Sequence, residues 1–167
     1  VADAVLFDFE TNPTITAEVS SVDAVNTATV TIDLTDLNEI GEYKYGGVIF
    51  WVNAAGNEGL VCATTDQSTG IQWYNGSNGD AGANGFDIGT GQVNTTEIVN
   101  FQGSGSYAAQ LCNDLSLNAF SDWFLPSEDE LNQVFINRVI INSTSITNGG
   151  TAFDSSFYWT SSEFNIA

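Results

Sequence analysis

The run Gly46–Val52, GGVIFWV, is followed by an NAAGNEG turn and by Leu60–Thr64, LVCAT; further on stands Ser121–Leu131, SDWFLPSEDEL. These stretches decide the reading of the fold. The first two form a hairpin of nearly continuous apolar strands, a pattern that requires burial on both faces. In the third, Ser127 is a helix N-cap with Glu130 three residues on, a capping box. Glu128 and Asp129 sit in the first turn, where the helix dipole favours acids. Leu131, Val134 and Phe135 give that helix its inward face.

Working outward, two short helices are expected before it, Val93–Asn100 and Ser106–Leu117; in the second, Ala108, Leu111, Cys112 and Leu115 form one apolar stripe. Residues 65–91 show no apolar periodicity and are crowded with Gly, Asn and Asp, the mark of a functional or flexible segment. A Gly149-Gly150 loop leads into an aromatic strand, Phe157–Ser161. The first forty residues read differently. Ala4–Glu10, Thr14–Val22 and Thr27–Leu34 are β-rich, and in the last Ala28, Val30, Ile32 and Leu34 alternate with polar residues as in a half-buried strand. Asn12-Pro13 separates the first two runs. Three strands are too few for a sandwich, so residues 1–40 must pack on the domain of residues 41–167, on upstream sequence or on another subunit.

Composition narrows the function. The 167 residues carry 2 Lys+Arg against 21 Asp+Glu and no His, a net charge of −19, yet 12% are aromatic, which argues for a folded acidic chain and not a disordered one. Such a surface repels phosphate backbones and anionic headgroups, so nucleic acid is excluded as a partner. No apolar run is long enough to insert in a membrane. Without His there is no Ser-His-Asp set and no imidazole ligand for zinc, so the chain reads as non-enzymatic. Few Lys and Arg, many Asn, Thr and Ser, and two Cys suggest a secreted protein whose export signal is removed or lies outside this sequence. A Cys62–Cys112 disulfide would close a loop of about 50 residues, worth roughly 4 kcal/mol; two buried thiols are the alternative.

The blocks GGVIFWV, EGLVCATTDQSTGIQW, IGTGQVNTTEIV, AAQLCNDLSLNAFSDWFLPSEDEL and YWTSSE, in that order over about residues 40–164, resemble the Lcl C-terminal domain family of bacterial surface proteins, named for a collagen-like adhesin. The resemblance implies an α+β, C-type-lectin-like domain with two to three short helices and a mixed antiparallel sheet, at the bacterial cell surface or outside the cell. Family members continue past YWTSSE with further strands, so this domain is expected to lack its last strands. The family's association with sulfated polysaccharides does not suit a charge of −19.

Candidate sites follow from chemistry. Asn78, Asp80, Asn84 and Asp87 offer oxygen ligands suited to Ca²⁺, but without EF-hand spacing and with no metal implied there by the resemblance; solvated turns are the plainer explanation. Trp73 and Tyr74 beside that loop would stack on a sugar face, with Asn75, Ser161 and Glu163 completing a ligand surface, or Trp73 lies buried beneath the loop. Trp123–Pro126 and Trp159 read as core. The expected function is adhesion, with a glycan or surface protein bound through loops 65–91 and 143–156. The alternative is a filament subunit: an incomplete sheet leaves unpaired backbone groups beside an apolar groove, and a strand from residues 1–34 of the same or a neighbouring copy fills it.

Overall fold

The computed structural model describes residues 13–20 and 27–164. The chain divides into two units, residues 1–37 and residues 38–167.

In the first unit, β1 (Thr14–Ser20) pairs antiparallel with β2 (Thr27–Asp33). Register places Ile15 opposite Ile32, Ala17 opposite Val30 and Val19 opposite Ala28, so one face is apolar and the other is threonine-rich. The expected half-burial is corrected for residues 27–33: β2 is exposed along its length, with Val30 at 46% and Ile32 at 50%, and Leu34 just beyond it is half-buried. Alternation marks the apolar face, but two strands supply no second layer to cover it. The expected strand Ala4–Glu10 lies outside the described residues.

The second unit is α+β. A three-stranded antiparallel sheet runs in the order β3 (Tyr43–Lys44), β4 (Gly47–Val52), β5 (Gly59–Cys62). Tyr45 and Gly46 both have positive φ, 54° and 82°, which closes a two-residue hairpin between β3 and β4 with the twist the strands require. Phe50 is the extra residue of a bulge between the pairs Ile49–Val61 and Trp51–Leu60. The central strand is buried as its sequence demands, with Val48 and Ile49 fully inside, each contributing about 2 kcal/mol of apolar transfer.

Four helices follow: α1 (Gly91–Gln102), α2 (Ala108–Asn113), α3 (Glu128–Ile136) and α4 (Arg138–Thr147). The capping box at the head of α3 is present, the Ser127 hydroxyl accepting from the Glu130 amide and the Glu130 carboxylate accepting from the Ser127 amide. Helix α4, RVIINSTSIT, exceeds the two to three helices expected and occupies part of the segment read as a loop from residue 143. Its β-branched residues and lack of a side-chain N-cap hide it from a local reading. Tertiary packing forms it: Ile141 is buried against β4, and the Thr144 hydroxyl donates to the Gly41 carbonyl at 2.7 Å. Residues 157–161 are not a strand, a second correction; their hydrogen bonds go through side chains and loop carbonyls, not through a sheet.

Two hydrophobic clusters fill this unit. Val48, Phe50, Val134 and Ile141 join β4 to α3 and α4, while Ala83, Ile98, Tyr107, Ala108, Ala109 and Leu125 gather under α1 and α2.

Candidate functional site

An open apolar cavity of about 1130 Å³ lies within the second unit. One wall is β5, one of the two edge strands of the sheet, with Gly59, Leu60, Val61 and Cys62 all among the lining residues. Leu111 and Leu115 near α2, Trp123 before α3 and Val134 on α3 supply apolar surface, and Phe153 and Trp159 close the far side. Sequence sends them there by different routes. Leu111 belongs to the expected helical stripe, whereas Leu115 lies past the end of α2 at Asn113, which corrects the expected helix Ser106–Leu117; Val134 is the inward residue of the capped helix, and Leu60 is a residue of the apolar hairpin.

Asp66, Asp122 and Asp154 also line the cavity. The hydroxyl of Tyr158 lies between Asp66 and Asp154, 3.3 Å from Asp66 Oδ2 and 3.5 Å from Asp154 Oδ1. Hydrogen bonds from Ser156, its amide at 2.6 Å among them, hold the Asp154 carboxyl below its ordinary range. Tyr158 is pushed upward, first by burial and then by the two neighbouring carboxylates.

Cys62 and Cys112 both line this cavity and both are free thiols, which corrects the expected disulfide. Cys62 sits in the cluster on β4, its sulfur donating to the Val48 carbonyl at 3.5 Å, whereas Cys112 packs against the cluster under α1 and α2. Burial pushes the Cys62 thiol up to about 12 and the Cys112 thiol up to about 11. Thiols held protonated are poor nucleophiles, so the cavity offers contact surface and no activated group among its sulfurs.

The residues expected to meet a ligand are for the most part fasteners of the Gly-rich loop. Trp73 donates its indole N–H to the Thr160 carbonyl at 2.8 Å, and Trp159 donates reciprocally to the Ile71 carbonyl at 2.7 Å. Asn75 is tied to Gln102 and to Ser104. Ser161 is fully buried and donates its amide to the Pro126 carbonyl at 2.7 Å. The Glu163 carboxylate accepts from the Ala81 amide at 2.8 Å. Tyr74 alone of the five is exposed to solvent, at 43%. Trp159, expected in the core, is half-exposed at 52%, because its indole caps the cavity edge.

The oxygens expected to ligate Ca²⁺ are spread along the loop. Asp80 Oδ1 accepts from the Gly82 amide at 2.8 Å, and Asp87 contributes its main-chain carbonyl to the Ser127 hydroxyl and to Thr90. Among the described residues no three His, Cys, Asp or Glu side chains come together as a metal-binding group.

Residues that a local reading misses do the holding. Asn94 donates to the Gly85 carbonyl at 2.6 Å and accepts from the Gly85 amide at 3.1 Å. Gln102 joins Asn75 to Ser77, and Ser162 joins Gly85 to Glu128. Nothing in their sequence context distinguishes them from solvated polar residues; burial of Asn94, Gln102 and Ser162 does.

Among the described residues no helix is long and apolar enough to cross a membrane. The chain matches no family model, no curated protein and no solved structure.

Proposed function

We propose that this chain is an extracellular, non-enzymatic structural subunit, and that the cavity beside β5 receives an extended apolar segment of a partner. The observation that carries this reading is the cavity itself. It combines an edge strand, whose backbone is a template for strand addition, with apolar lining from Leu111, Trp123 and Val134. At about 1130 Å³ it lies above the range of a drug-sized ligand site and suits a length of polypeptide. The unit of residues 38–167 is read as a C-type-lectin-like domain of the Lcl C-terminal type, supported by the order of its sequence blocks. Location outside a bacterial cell rests on the same resemblance and on the composition.

Light scattering of source-purified material, paired with negative-stain imaging, tests the reading. Regular polymers that fall to chains of about 18 kDa only in denaturant are the expected result; a monomer at all concentrations contradicts it.

Adhesion is the second reading, favoured by one observation: Tyr74 and Trp159 present aromatic surface on backbone that is tied down by the reciprocal indole bonds. Rigid aromatic faces are what sugar rings or protein loops stack on. A glycan array on the full chain with no hit would remove the glycan form of this reading.

A further inference from the structure

The walls of the cavity are apolar, but its charge is of one sign. Asp66, Asp122 and Asp154 are the charged residues among its described lining, and no Lys or Arg stands with them. The fold brings two of the three together. The Thr151 amide donates to the Thr64 carbonyl at 2.8 Å, which ties the segment carrying Asp154 to the one that leaves β5 toward Asp66. Between their carboxylates lies the Tyr158 hydroxyl, 3.3 Å from Asp66 Oδ2 and 3.5 Å from Asp154 Oδ1. A phenol has one proton to donate, so it serves one carboxylate at a time. Among the described residues neither carboxylate is in an ion pair.

The chain itself cannot answer this charge. It carries 2 Lys+Arg against 21 Asp+Glu, and both cations are engaged at home. Lys44 pairs with Glu42 at 3.2 Å. Arg138 borders an adjoining recess, yet its guanidinium donates to the Phe135 carbonyl at 2.8 Å and lies over the Phe135 ring at 4.1 Å. A second copy would therefore bring the cavity more acids and no uncommitted cation. Spacing defines what a complementary segment looks like. A strand added along Gly59–Cys62 and carried on past Cys62 follows the chain toward Asp66, four residues further, or at most about 14 Å in extended backbone. Its base then stands within about four residues of the last paired position, and fully exposed Phe157, beside Tyr158, offers a ring to the methylene stem.

Resting on the reading that the cavity takes an extended segment of a partner, we propose that this partner is a second, basic polypeptide, and that Asp66, Tyr158 and Asp154 select a segment in which a Lys or Arg follows alternating apolar residues. The apolar walls supply contact area and the edge of β5 supplies backbone partners, neither of which distinguishes one apolar strand from another. The acidic cluster supplies the distinction, since it attracts a base and repels an acid at the same place. Assemblies built through this cavity contain that second polypeptide beside this chain.

Synthetic peptides added to the full chain test this, with binding read from the tryptophan emission of Trp123 and Trp159 at the cavity. The probe is acetyl-Val-Ser-Leu-Ser-Val-Ser-Lys-amide, compared with the same peptide ending in Gln or in Glu. At low salt the Lys peptide should bind about fivefold tighter than the Gln peptide, the worth of one favourable exposed ion pair, and the Glu peptide more weakly than either. The difference between Lys and Gln should close toward about 1 M salt, where the Debye length is about 3 Å. The double variant Asp66→Asn, Asp154→Asn should lose the preference for Lys, whereas Glu18→Gln on β1 should keep it; circular dichroism selects variants that fold. A preference that survives in the folded double variant overturns the role of this cluster. Equal binding of the Lys and Gln peptides to the unsubstituted chain overturns the basic partner and leaves the segment reading standing. So does polymerisation of the pure chain that the Gln peptide competes as well as the Lys peptide, for the occupant is then a second copy. A chain whose emission none of the three peptides moves overturns the segment reading as well.

Discussion

The carboxylate of Glu163 accepts the amide of Ala81 at 2.8 Å, joining positions 82 residues apart. The Glu163 amide donates in turn to the Ala83 carbonyl at 2.8 Å, so one residue near the end of the chain pins two points of the Gly-rich loop. Removing the carboxylate in Glu163→Ala should expose the Ala81 amide to exchange and cost about 1 kcal/mol, while Glu163→Gln, which keeps an acceptor, should cost less. Amide hydrogen exchange read residue by residue checks this; unchanged protection at Ala81 would refute it.

Ser162 is nearly fully buried and makes two bonds through one oxygen, donating to the Gly85 carbonyl at 2.7 Å and accepting from the Glu128 amide at 3.0 Å. Ser162→Ala leaves both partners without that oxygen. The expected loss is about 1–3 kcal/mol by urea unfolding, against no more than about 0.5 kcal/mol for Ser156→Ala on the exposed surface.

The thiols give stability a pH dependence at the alkaline end. Burial raises Cys62 from 9.0 to about 12 and Cys112 from 9.0 to about 11, so the folded state favours the protonated form of each. Their contribution is fully present below about pH 9, where the unfolded chain also keeps its thiols protonated, and is lost as pH rises through 9 toward the folded values. Unfolding free energy should fall between pH 9 and 11 and fall less in the double variant Cys62→Ala, Cys112→Ala. At pH 8 alkylation of native Cys62 should be roughly a thousand-fold slower than in urea, from the thiolate fraction alone. Equal rates in the two conditions would contradict its burial.

Gly47 begins β4 where the partner strand comes closest. A Cβ there would run into the carbonyl oxygen of Cys62, a backbone atom that cannot turn aside, whereas a Cβ at Gly70 meets only open space. Gly47→Ala should therefore destabilise by about 3 kcal/mol, the upper end of what overpacking costs. Gly70→Ala should change little. Thermal melts of the two variants, compared directly, decide the matter.

Local signals were legible where chemistry is settled within a few residues. Ser127 and Glu130 form their capping box because the partners are three positions apart and the helix geometry brings them together whatever else the chain does. The apolar run Val48–Phe50 is buried because no exposed strand tolerates such a pattern. The pattern of residues 27–33 was equally clear, yet it predicts only which face is apolar, not that a second layer exists to cover it. Helix α4 was illegible for the converse reason: its residues have poor helical propensity, and contacts with β4 and Gly41 override that.

By itself the sequence determined an acidic chain, the hairpin of β4 and β5 with β4 buried, the capped helix α3 and the distinct β-rich start, since each follows from composition, period or nearest neighbours; the burial expected of Leu60–Thr64 as well is corrected, for β5 is only partly covered. Tertiary structure alone decided that Trp73, Asn75, Ser161 and Glu163 hold a loop in place, that Cys62 and Cys112 stay apart as thiols, and that Trp159 stands half-exposed at the rim of a cavity. Those outcomes depend on where the chain returns after 80 or so residues, as from Trp73 to Thr160. A hydrogen bond or a cavity wall formed at such separation is set by the packing of whole elements, and no local pattern of residues records it.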